Sequence, residues 1–180
     1  MTSPLPLMAA GNAAERAARI LLDGRFITMS TADTEGPWAA PAQYRLLDGG
    51  RLYIESNHHS RHARAIVATG IASGAIFDSS AQPVDADGIQ LLLLASEVAA
   101  TPGEVRDVLT SRIHPPISSG DVEAEVAAVL AVADKRLYLL EVAEIHVFDR
   151  EAWRTAGTDA RGEVDAGQVF AFIRAALGDR

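Results

Sequence analysis

The sequence predicts an α+β domain, a barrel of six antiparallel strands with helices at its periphery. Three observations carry that expectation. Runs rich in β-branched and apolar residues, separated by turns built from Gly, Pro and Asp, recur six times along the chain. Segments with a helical apolar stripe interrupt the series after the third and fifth strands and flank it at both ends. The regular strand–helix alternation that builds a parallel sheet is missing.

Each element has a local reason. Residues 1–11 read as a loose arm, and Asn12 can cap an alanine-rich helix over 13–22 that Gly24 stops. A first strand covers 26–31, followed by a turn through Asp33, Gly36 and Pro37. A second covers 38–47 and is closed by Asp48, Gly49 and Gly50. In the third, over 51–56, Leu52 and Ile54 take one face and Tyr53 the other, which completes a meander. Ser60 caps a helix reaching Thr69, with Ala63, Ile66 and Val67 as its stripe and Gly70 as its stop. A fourth strand runs over 71–79. The fifth, over 89–100, carries unbroken leucines, which predicts burial on both faces, inside the barrel or at a subunit interface. Thr101, Pro102 and Glu104 form a capping box with proline at the first helical position, opening a helix expected to end near Ile113. A helix over 121–132, a sixth strand over 136–147 and an amphipathic helix over 165–177 complete the chain. No repeat or domain boundary stands out. Residues 1–180 therefore read as one domain, with 101–133 as a helical insertion and 149–180 as a tail and helix.

The chain has 180 residues, 48% hydrophobic and 22% charged, enough for one domain with a substantial core. A net charge of −8 argues against nucleic acid or an anionic membrane as partner, so basic residues are read as local anion sites. With no cysteine, disulfides, thiolate metal sites, iron–sulfur clusters and a cysteine nucleophile are excluded. Residues 1–8 are apolar but short, lack a basic residue and hold two prolines, unlike a signal peptide. The longest apolar run, 91–95, is too short to cross a bilayer, and a cytoplasmic protein is expected.

The densest polar constellation runs from Glu55 to Arg64, where the third strand meets the next helix. A helix N-terminus presents unpaired N–H groups and partial positive charge, and so stabilises an anion. Ser60 adds a hydroxyl, Arg61 a bidentate cation, and His62 and Arg64 further contacts. Ser56 and Asn57 offer hydrogen bonds just before the turn. Together they make a candidate phosphate cradle. The competing reading is an ordinary polar loop with a serine cap and surface arginines.

The order of these pieces resembles the pyridoxamine 5′-phosphate oxidase-like flavin-binding split barrels. The likeness rests on Leu52 to Ser56, then Ser60, Arg61, His62, Ala63 and Arg64, and an alanine- and glycine-bearing strand after them. It covers roughly residues 13–100, with a weaker echo at 134–138. The resemblance implies a six-stranded antiparallel split β-barrel that holds FMN, its phosphate gripped by Ser56, Asn57, Ser60, Arg61 and His62. His62 stands where lysine is common and supplies one donor in place of a full charge. It further implies that the stretch Pro41, Ala42, Gln43 and Tyr44 lies along the flavin ring, with Gln90 near it.

By the same resemblance the protein is a homodimer with its cofactor between subunits, and an FMN-dependent oxidoreductase acting on a small-molecule substrate. The alternatives are a non-catalytic flavin carrier or sensor, a deazaflavin- or heme-binding relative, or a barrel without a cofactor. A six-stranded open barrel also leaves apolar surface and strand edges for a two-fold partner, with residues 91–94 as the candidate surface. Oxidation of pyridoxamine phosphate itself is not expected. Arg112, Ile113 and His114 spell its Arg-x-His substrate motif but lie too far upstream of 135–138, and Trp153 and Arg154 do not reproduce the closing motif.

Other constellations are weaker. Trp38 and Trp153 are candidates for stacking on a cofactor, with Trp153 favoured as a core or interface anchor. His58, His59 and His62 raise a metal site, but no carboxylate stands beside them in sequence; they read as a solvated turn with no metal. The loop at 118–120 lacks a nucleophile elbow, and Gly70, Gly74 and Gly88 form no dinucleotide fingerprint.

Overall fold

A computed structural model describes residues 13–82, 85–118 and 120–178; the expected arm over 1–11 and the cap at Asn12 lie outside them. The elements are, in order, α1 (Ala13–Asp23), β1 (Phe26–Asp33), β2 (Gly36–Leu47), β3 (Arg51–Asn57), α2 (Arg61–Thr69), β4 (Ile71–Phe77) and β5 (Gly88–Glu97). There follow α3 (Pro102–Thr110), β6 (Arg112–His114), α4 (Val122–Leu130), β7 (Lys135–Phe148), α5 (Arg150–Ala156), β8 (Arg161–Val164) and α6 (Ala166–Leu177). No helix among the described residues is long and apolar enough to cross a membrane.

Six strands form an antiparallel barrel in the order β1-β4-β5-β7-β3-β2, and β1 pairs with β2 to close it. The barrel is therefore closed, not open as expected, and its six strands leave no edge running the length of the sheet. Alternation along each strand fills the interior with Ile27, Met29, Leu52, Ile54, Leu91, Leu93, Tyr138 and Leu140. Helices α1 and α6 pack against one another, and their buried residues belong to the same core. A second cluster lies on the other face of the sheet. There Tyr53, Leu47 and Leu137 meet Val105 and Leu109 of α3 and Val122, Val126 and Val129 of α4. The division of Leu52 and Ile54 from Tyr53 is thus the division between two cores.

Three expectations are corrected. Residues 112–114 are not a helix end: Arg112 and His114 pair with Leu47 and Leu46 as a short strand. Within a single chain the leucines of β5 are not buried on both faces: Leu91 and Leu93 point inward, while Leu94 is exposed and Leu92 half-buried, which leaves burial of the outer pair to a subunit interface. Trp153 is exposed rather than a core anchor, and it tilts against Phe148. Both α5 and β8 are additional to the expected elements.

Candidate functional site at the β3–α2 junction

Local caps build the junction. The Asn57 side chain accepts the His59 N–H at 2.8 Å and the Asn57 carbonyl accepts the Ser60 N–H at 3.0 Å, which reverses the chain after β3. Ser60 then caps α2, its hydroxyl accepting the Ala63 N–H at 3.3 Å. Gly70 ends the helix at φ 70°, where a Cβ would be strained.

Three of the expected phosphate contacts converge. Ser56 Oγ lies 2.7 Å from His62 Nε2 and 3.2 Å from Ser60 Oγ, which is itself 3.2 Å from the His62 nitrogen. Two hydroxyls and an imidazole can each donate to an anion. Burial pushes the His62 imidazole below its ordinary value of 6.5, so the ring is neutral at neutral pH. Asn57 is committed to the turn instead.

Arg61 turns the other way. Its guanidinium donates to both carboxylate oxygens of Asp33 at 2.9 and 2.8 Å and to the Gly36 carbonyl at 3.0 Å. It also lies 5.1 Å from the centroid of the Trp38 ring. That fork holds the Asp33 carboxyl down at about 2. The cation expected for a phosphate is thus paired, within the chain, to the β1–β2 hairpin. Arg64 donates to the His59 carbonyl.

The residues expected beside a flavin ring divide by strand parity. Pro41 and Gln43 point outward, while Ala42 and Tyr44 are buried in the barrel core. The Tyr44 hydroxyl donates to the Leu21 carbonyl at 2.8 Å, so only the backbone of these two is open to a ligand on the outer face. The ladder places Pro41, Thr28, Ala75, Gln90 and His146 in one row across five strands. Pro41 and Gln90 are therefore three strands apart in either direction around the closed barrel, and their side chains point outward on opposite sides of it. Gln43 lines a groove of about 120 Å³ with Arg45, Tyr53 and Glu55. A larger cavity of about 430 Å³, bordered by Leu47, Glu97, Val98 and Asp107, contains none of the expected site residues.

The architecture has clear relatives among solved structures. The fold is a split β-barrel that several solved structures share. A heme binding protein from Mycobacterium smegmatis superposes with a TM-score of 0.63 at 22% identity, over 91% of this chain. The match spans 62% of the length of that protein. HutZ, the heme storage protein from Vibrio cholerae, gives 0.58 at 14% identity over 75% of this chain and 94% of its own. A Listeria innocua protein that carries the name of pyridoxamine 5′-phosphate oxidase gives 0.51 at 12% identity, over 76% and 98%. At such identities the likeness is one of fold. No protein-family sequence model matches the chain, and no curated protein matches it by sequence.

Proposed function

We propose that this protein is an FMN-dependent oxidoreductase whose cofactor phosphate is held by Ser56, Ser60 and His62. The observation that carries this reading is the convergence of two hydroxyls and a neutral imidazole at the start of α2. That donor set fits a phosphate monoester, and Arg61 adds its charge by exchanging the Asp33 carboxylate for the phosphate. Pro41 and Gln43 are the side chains that the β2 side of the outer face offers to the ring, and Gln90, on the opposite side of the barrel, reaches a ring only from a second copy of the chain. The bound flavin supplies electron transfer with a small-molecule substrate, and the protein supplies binding and orientation.

A homodimer belongs to the same reading. The outward side chains of β1 from Phe26 to Ser30, and of β4, are uncharged, in a chain where charged residues are 22%. On this face and its β5 neighbour, Phe26, Ile71, Phe77 and Leu94 are each between 50% and 61% exposed. An uncharged face can meet its own copy across a two-fold axis without opposing like charges.

Heme binding is the second reading. It is supported by the names of the Mycobacterium smegmatis and Vibrio cholerae neighbours and by the hold of Asp33 on Arg61, which withdraws charge from a phosphate. Loading the purified protein in parallel with FMN and with hemin, then desalting, separates the two. Retained flavin absorbance that a reductant bleaches and an acceptor restores is the expected result. A Soret band with no retained flavin transfers the assignment to heme, and a colourless protein in both arms rejects a cofactor role.

A further inference from the structure

We propose that His58, His59 and Asp134 form a binding site for a divalent transition-metal ion, with zinc as the fitting cation, independent of the flavin reading. Sequence proximity offers the two histidines no carboxylate. The fold supplies one from the turn that enters β7. His58 Nε2 lies 3.6 Å from Asp134 Oδ1 and His59 Nε2 lies 3.8 Å from the same oxygen. One ligand atom from each residue falls within 4.8 Å of the others. A tetrahedral zinc ion bound at about 2.0–2.1 Å holds neighbouring ligand atoms about 3.3 Å apart, so small side-chain rotations close the site. Imidazole and carboxylate are the ligand types that suit such an ion, and exposure leaves the fourth position to water.

The backbone holds the three residues in place. The His58 N–H donates to the Asp134 carbonyl at 2.9 Å, the His59 N–H is held by Asn57, and Asn57 pairs with Lys135 in the β3–β7 ladder. The rings of His58 and His59 already lie side by side, with centroids 3.8 Å apart. Neighbouring cations are turned elsewhere. Lys135 donates to Glu55 at 2.6 Å, and Arg64 donates to the main-chain carbonyl of His59. His62 is not a member, because its Nε2 faces Ser56 and Ser60. A bound ion would tie the β3–α2 turn to the turn before β7, and so stabilise the fold as well as bind to it.

The test is isothermal titration of the untagged full chain with zinc chloride in a non-chelating buffer at neutral pH. One ion per chain is expected, with His58→Ala, His59→Gln and Asp134→Asn each weakening binding at least about tenfold. His146→Ala, beside Glu144 on β7, should leave the affinity unchanged. Zinc should also raise the thermal midpoint of the wild-type chain and not that of Asp134→Asn. Absence of binding heat in the wild type, or equal affinity in wild type and Asp134→Asn, overturns the site.

Discussion

Because Arg61 makes a two-pronged ion pair with Asp33, an arriving phosphate must either rely on Ser56, Ser60 and His62 or displace that carboxylate. Asp33→Asn keeps an acceptor for the Glu35 N–H and releases the cation. It should tighten FMN binding by about threefold and leave riboflavin unchanged, the modest size following from the part-exposed pair. Flavin fluorescence titration reads the difference. His62 contributes a pH dependence of definite sign. Its folded pKa lies below the 6.5 of the free side chain, so the unfolded chain binds the proton more readily. Its stabilising contribution is complete above 6.5 and is lost as pH falls through the folded value. Denaturant midpoints of wild type and His62→Gln should therefore diverge less as the pH drops. A phosphate beside the ring favours its protonated form, so FMN binding should take up a proton over the same window. The Arg61 pairing is not local: Asp33 and Arg61 are 28 residues apart, and nothing in the residues around Arg61 names its partner.

At the scale of elements, the chain wrote its longer pieces plainly. The cap and stop of α2, the Thr101 cap of α3 and the two-faced division of β3 are each a local preference that the fold keeps. The short strands were not legible for a physical reason. Three residues in β6 and four in β8 are too few to show a period, and both exist because a neighbouring strand offers hydrogen bonds. The same limit applied to the candidate site. Ser56, Ser60 and His62 were readable because one loop carries them, whereas the inward turn of Ala42 and Tyr44 depends on the register of β2. Packing inside the barrel gives a stability prediction. A Cβ on Gly74 would run into the Ile27 side chain, with Cγ1 only 2.8 Å away. Gly74→Ala should lower stability by about 1–3 kcal/mol, measured by denaturant unfolding, through overpacking between β4 and β1.

For the whole molecule, closure of the barrel removes the strand edge as a route to association and leaves the outer face of β1, β4 and β5 as the surface to cover. Phe77→Glu places a charge in that face and, across a two-fold axis, near its own copy. It should convert a dimer to a monomer in sedimentation velocity, with the barrel still folded; a wild-type chain that sediments as a monomer rejects the dimer. The FMN assignment turns on the phosphate, since the riboflavin part of the cofactor makes no use of Ser56, Ser60 or His62. The most direct measurement is therefore the ratio of dissociation constants for FMN and riboflavin on the wild-type chain. The FMN assignment predicts FMN tighter by about tenfold or more, the worth of charge-assisted hydrogen bonds to one phosphate. Equal affinities, or no saturable binding of either flavin, would contradict it.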